Sequence, residues 1–297
     1  MKKVLIFLSL AIGSSVIYAQ ETDDVYINTQ FLPSADVGSF VKMEAGISVP
    51  LLNTSKDKLS IGGYFQNNSL NFEDKNVPFE TDDIETFNAF GLKFNYQRSL
   101  SNNWAINFMG GSQISSNFDE SEIKSDDIFF NALVTVDKFN EENNTQWTLG
   151  ATYDIKYGLY FPIPIVTYAK RISDAWAYKL GVPDSRVKWT LSDHHNFEGF
   201  ATLTGFTGNI NDEIEIYKED YEGTLRQTTV LLGLGYNYTF WDNFKATVNG
   251  GYSVYNHMQV QDYDHDEIYD FDISNSLYIS AGIKYTFDNK TNIKSVY

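Results

Sequence analysis

The chain has 297 residues, a formal net charge of −17 and no cysteine, which excludes a disulfide framework and a lipid-carrying N-terminal cysteine. The acid excess argues against a nucleic-acid partner, whose phosphates need Lys and Arg. Beyond the N-terminal segment no stretch of about 18 apolar residues occurs, so no transmembrane helix is predicted. A mean hydropathy of −0.31 is still compatible with a membrane barrel, because only alternate strand residues meet lipid.

Lys2 and Lys3 precede the apolar run Val4–Ile12, small residues Gly13, Ser14 and Ser15 follow, and Ala19 offers a cleavage point before Gln20. Residues 1–19 read as a secretory signal peptide, with an N-terminal membrane anchor as the alternative. Residues 20–297 continue without a linker-like shift in composition and read as one domain.

From there the chain alternates apolar and polar residues. In Phe40–Val49, residues Val41, Met43, Ala45, Ile47 and Val49 share one parity, against Lys42, Glu44, Gly46 and Ser48. A period of two is the signal of a strand. The pattern predicts strands near 24–32, 40–50, 58–66, 85–99, 103–116, 127–139, 145–158, 161–171, 175–182, 185–192, 196–206, 225–240, 243–258 and 274–287. Many run to roughly ten residues or more, which suits a tilted strand crossing a bilayer in about 9–11 residues. The fold class predicted is all-β, a transmembrane up-and-down antiparallel β-barrel. Fourteen strands are favoured. Twelve would result if the Pro-bearing segments between 161 and 192 merged or dropped out, since Pro162, Pro164 and Pro183 cannot donate to a ladder.

The connections alternate in length. Short ones follow even-numbered strands, and the long ones, 67–84, 117–126, 207–224 and 259–273, follow odd-numbered strands. Outer-membrane barrels keep short periplasmic turns and longer extracellular loops. With their flanking residues, windows 67–85, 117–127, 207–224 and 259–273 hold 23 acids against Lys75, Lys124 and Lys218, so the negative charge belongs to the predicted outer loops. Trp104, Trp147 and Trp176 begin strands after short turns, Trp189 ends one before a short turn, and Trp241 lies in one. All five are predicted to form a periplasmic aromatic girdle, because indole favours the membrane interface; five scattered core tryptophans are the alternative.

The signal peptide, the alternating strands and the final Tyr285-Thr286-Phe287 resemble Gram-negative outer-membrane β-barrel proteins. The terminal aromatic is similar to the recognition signal for the barrel-assembly machinery, although ten residues follow Phe287. The stretch from Tyr160 through Pro162, Pro164 and Tyr168, with Trp176, Gly181, Pro183 and Trp189, resembles a family of such barrels known only as a domain of unknown function. That resemblance implies a fold and an outer-membrane location, with lipid, lipopolysaccharide and the assembly machinery as partners, and no activity. It leaves the oligomeric state open.

A Lys or Arg on the lipid face near the midplane costs about 2–4 kcal/mol, so the parity that carries charge must face inward. By this rule the lumen receives Lys42, Glu44, Lys93, Asp154, Lys156, Lys179, Arg186, Lys188, Glu198, Lys245 and Lys284. Two readings follow: a mutually satisfied polar network, or a basic lumen that favours anions. In the outer loops, Asp262, Asp264 and Asp266 place carboxylates at alternate positions, as the first half of a calcium loop does. An EF-hand would need Gly at the sixth position and Glu at the twelfth, where this chain has Glu267 and Ile273. Diffuse Ca²⁺ or Mg²⁺ binding remains as a reading for the loop, beside that of a solvated acidic loop; no other cofactor is predicted.

Catalytic readings find little support. Asp193 and His195 sit in a short turn, and Ser253 and His257, four residues apart, would stand about 13 Å apart by strand rise. No phosphate loop or nucleophile elbow occurs, so no enzyme is predicted. The leading expectation is a passive channel for small anionic or neutral solutes. The alternative is a plugged structural or binding barrel whose acidic loops meet lipopolysaccharide, divalent cations or a surface partner, with an outer-membrane enzyme third.

Overall fold

The computed structural model describes residues 24–33, 38–72, 77, 79–101, 103–118, 123–216, 218–241 and 243–287, without the side chains of 212 and 213. The expected signal peptide, residues 1–19, lies outside them.

Alternating hydropathy becomes a continuous antiparallel wall. Its first half is β1 (Asp24–Pro33), β2 (Gly38–Asn53), β3 (Asp57–Phe72), β4 (Thr86–Ser101), β5 (Trp104–Ser116), β6 (Ile128–Asn140) and β7 (Thr145–Tyr153). The second is β8 (Ile163–Arg171), β9 (Trp176–Val182), β10 (Asp184–Thr190), β11 (His195–Ile216), β12 (Glu219–Phe240) and β13 (Phe244–Gln261). After a short extra strand, β14 (Glu267–Phe271), the wall resumes with β15 (Leu277–Thr286). Neighbours in sequence pair in order, β13 pairs with β15, and β15 pairs with β1, closing a 14-strand barrel. β14 pairs only with the upper end of β13 and stands outside the ring.

The Pro-bearing segments remain separate strands, as the fourteen-strand reading requires. Pro164 stands in the part of β8 that has no β9 partner, since that pairing starts at Val166, and there a missing N–H costs little. The outward parity is apolar: Ile47, Leu92, Phe94, Val134, Leu149, Leu234, Val248 and Ile279 are exposed, Leu234 by 74%, while Val41 and Ile283 are half-exposed. Such a band is stable only against another apolar medium.

Expected loops 67–84 and 259–273 hold the end of β3 and strand β14, and two further departures turn inward. β7 ends at Tyr153, five residues early, because the Asp154 carboxylate accepts from the Lys156 backbone N–H and caps a single helical turn, Ile155–Tyr157. Residues 207–224, expected as an open acidic loop, are mostly the long ends of β11 and β12, each 22 residues. From Gly205 to Asn211 and from Gly223 to Thr229 both parities are buried, so this hairpin folds into the mouth. Asn209 pairs in parallel with Ser116 of β5, far around the wall. Close approach depends on glycine: a Cβ on Gly205 would lie 1.9 Å from the Gln227 carbonyl oxygen, and one on Gly158, at φ +70°, 2.0 Å from the same atom.

The hairpin is part of the main hydrophobic core. Phe206, Ile210, Ile214, Ile216 and Leu225 of the hairpin pack with Phe40, Phe87, Met258 and Phe271, and Phe206 stacks on Phe40 with centroids 5.5 Å apart. Charge counting hid this core because its isoleucines interleave with acids. Glu215, Glu219, Asp220 and Glu222 stay exposed at the hairpin tip.

Candidate functional site: the charged lumen beneath a hairpin plug

The inward charges divide into two groups. In the first, cross-strand register places Lys179 opposite Arg186 and Lys188 opposite Glu198. Asp184 joins them: its carboxylate lies 2.7 Å from Lys179 Nζ and 3.0 Å from Arg186 Nε, while Arg186 Nη1 lies 3.1 Å from Glu198. Lys179, Asp184, Arg186 and Glu198 are all buried, so each charge must be paired to be tolerated. Lys245 stands opposite Lys284 across β13 and β15, and Lys284 pairs with Asp24 at the barrel seam.

In the second group Lys42, Glu44 and Lys93 come from β2 and β4, whereas Asp154 and Lys156 belong to the inward turn and not to a strand face. Lys156 Nζ lies 3.0 Å from Asp154, Tyr26 donates to Glu44 at 2.6 Å, and buried Lys42 donates to the Gly205 carbonyl at 3.3 Å. Tyr64 donates to Gln113, whose oxygen also accepts from Asn131. Glu44, Lys93, Asp154 and Lys156 line a cavity of about 70 Å³ roofed by Phe206 and Thr207. That volume holds a handful of water molecules.

Sequence reasoning missed Asp24, Asp137 and Asp184, all inward and buried, and with them much of the neutralisation of the lumen. The parity rule could have found them: Asp184 shares its parity with Arg186, Asp137 with Thr135 and Asp24 with Asn28. They fell at predicted strand ends, next to turns, where inward and outward are hardest to assign. Arg226, at the very start of the predicted strand 225–240, was not assigned to the lumen.

At the short-turn end the five tryptophans lie on the outer surface, all exposed. Trp176 stacks on Trp189 at 5.8 Å, Trp189 on Phe197 at 5.6 Å, and Phe197 meets Tyr236 at 5.2 Å. Trp147 contacts Tyr168, Lys138 lies over Trp104, and Trp241 contacts Phe240 and Phe244. The sequence pattern pointed to the indoles; the surrounding Tyr and Phe rings complete much of a belt.

The acidic turn is built for closure. Asp262 Oδ1 accepts from the Asp266 backbone N–H at 2.8 Å, and Asp264 and Asp266 are exposed. Tyr263 donates to buried Asn209 at 3.1 Å, fastening the turn to the hairpin; partial burial pushes its phenol above the ordinary value. Among the described residues, the side chains able to share one ion are instead His257, Glu267 and Asp270, with ligand atoms within 4.8 Å of one another. His195 Nδ1 meets the Tyr236 hydroxyl at 2.7 Å, and the Ser253 hydroxyl donates to the Ser276 carbonyl at 3.3 Å.

A closed antiparallel barrel with an apolar outer band, an aromatic belt at one end and a charged interior has the architecture of outer-membrane β-barrels. By sequence, residues 22–286 match the model of the family described as Domain of unknown function (DUF6268), and the chain belongs to that family. No curated protein matches the sequence. Among solved structures it is similar to the KdgM porin, at 8% identity and a TM-score of 0.43, covering 89% of this chain and 99% of that one. It is also similar to the translocator domain of the autotransporter NalP from Neisseria meningitidis (10% identity, TM-score 0.42, 91% and 90% coverage). A third similar structure is a mutant of the TodX monoaromatic hydrocarbon channel (7%, 0.40, 91% and 92%). At these values the likenesses carry no functional assignment.

Proposed function

We propose that the protein is an outer-membrane barrel whose extracellular mouth is sealed by its own β11–β12 hairpin, serving as a structural or surface-binding barrel. The observation that carries this reading is the hairpin across the lumen, bridged to β5 at Asn209 and Ser116. Magnitude supports a permanent seal over a flickering gate. Burying each of Phe206, Ile210, Ile214, Ile216 and Leu225 contributes about 1.5–3 kcal/mol, on the order of 10 kcal/mol together. Since about 1.4 kcal/mol is a factor of ten, spontaneous expulsion of the hairpin would be a rare event. The long loops and exposed acids face outward from the cell in this reading, and the aromatic belt faces the periplasm. The exposed acids supply the surface for divalent cations or a cationic partner. Biogenesis through the assembly machinery at Phe287 belongs to the same reading.

Planar-bilayer recording tests it. The wild-type protein should show no steady conductance, and replacing residues 206–228 by a short turn should create an ohmic pore. A second reading, a passive channel for small anionic or neutral solutes, is favoured by the inward Lys42, Lys93, Lys156, Lys188, Lys245 and Lys284. It requires steady wild-type conductance with a reversal potential of the sign for Cl⁻, and that result would displace the sealed-barrel reading.

A further inference from the structure

Buried cations in this barrel are mostly compensated. Lys179 and Arg186 have carboxylates within 3.1 Å, and Lys42 has the Gly205 carbonyl beside Glu44. Arg226 is different. It is 5% exposed, yet no carboxylate pairs with it among the described residues. Its Nε donates to Thr224 Oγ1 at 3.2 Å, its guanidinium lies 5.7 Å from the Tyr160 ring centroid, and its Nη1 is buried without a hydrogen-bond partner. A hydroxyl and a ring face do not neutralise a buried guanidinium, and an uncompensated buried charge is strongly unfavourable.

The surroundings show where a counter-ion would enter. The wall is lowest at β9 and β10, seven residues each, beside β7 and β8 with nine. Seven residues at about 3.3 Å rise and about 40° tilt climb about 18 Å, short of the apolar band of about 25 Å. Above this low arc, Tyr160 and Phe161 are exposed, and Tyr160 stacks on His265 at 4.7 Å. Tyr160 is therefore a lid between the outside of the barrel, at outer-leaflet depth, and the guanidinium beneath.

We propose that Arg226, beneath the Tyr160 lid on the low arc of the barrel, is the core of a binding site for a phosphate group. A planar guanidinium with a free N–H fits a phosphate oxyanion, which could come from a lipid headgroup of the outer leaflet or from free phosphate. Access from the leaflet rests on the outer-membrane reading, whereas the anion site does not. The test uses the full-length barrel in detergent, with heat-modifiable migration as the check on folding. Inorganic phosphate is titrated calorimetrically, and lipid uptake from phosphatidylcholine vesicles containing bis-phosphorylated lipid A is followed by native mass spectrometry. Binding of both probes, weakened about tenfold or more in R226Q and several-fold in Y160A, supports a headgroup site. Binding of inorganic phosphate alone, with the same losses, supports a free-phosphate site. If R226Q does not fold, R226K decides: it keeps the charge and loses the fork, so about threefold weaker binding is expected. No binding by the wild type, or equal binding by the folded Arg226 variants, overturns the proposal. Cell fractionation that finds the protein outside the outer membrane would sink the membrane reading and leave the in-vitro result standing.

Discussion

Asp184 holds two cations at once, Lys179 at 2.7 Å and Arg186 at 3.0 Å, in a fully enclosed setting. Removing one member of a buried ionic network leaves the others uncompensated, which costs about 3–5 kcal/mol. Asp184→Asn should therefore lower stability by about that amount, read as a shift in the urea unfolding midpoint in micelles. A loss under about 1 kcal/mol would mean that water reaches the network and screens it. Sequence reasoning passed over this residue, although its parity is that of Arg186 and Lys188. Which acid meets which base was not legible, since that depends on the register between β9, β10 and β11, and a single sequence leaves register open by two residues at a time without changing any face.

At the scale of the element, β11 and β12 carry the largest departure from expectation. The distal end of β11 interleaves isoleucines with acids, Ile214 and Ile216 around Glu215, a pattern that fits a half-buried hairpin as well as it fits a loop. Burial was decided by partners distant in sequence: Phe40 on β2, Phe87 on β4, Met258 on β13. The absence of native cysteine gives a direct check. Because Asn209 and Ser116 are paired residues on adjacent strands, their Cα atoms fall in the range a disulfide spans, about 4.4–6.8 Å. The double variant Ser116→Cys, Asn209→Cys should cross-link nearly completely on oxidation and show a shifted band without reductant. A poor yield would place the hairpin outside the mouth. The inward turn makes a parallel case at Gly158, where φ is +70° and no Cβ fits: Gly158→Ala should cost more than about 1 kcal/mol in the same unfolding assay.

On the scale of the whole molecule, the outer-membrane reading proposed above takes the outer band, the aromatic belt and the alternation of short and long connections to set one orientation. Leu234, 74% exposed at mid-strand, is the test of the lipid-facing surface. Leu234→Arg should destabilise the barrel by about 2–4 kcal/mol and reduce the heat-modifiable form, whereas a neutral effect would mean that this face meets water. Epitope tags inserted near Asp264 should be labelled on intact cells, and tags near Asn143 should not. Labelling at Asn143 alone would invert the topology.

The sequence by itself determined the antiparallel barrel, most of its strands and their faces, because alternation and the cost of a charge in lipid act one residue at a time. It also pointed to a charged interior. Tertiary structure alone decided which bases Asp24 and Asp184 meet, that the β11–β12 hairpin turns inward to reach β5, and that Arg226 is buried with no carboxylate paired to it among the described residues. These facts depend on which strands close the ring and at what register. The free energies behind them come from contacts between residues far apart in the chain, and alternation within one strand carries no record of its distant neighbours.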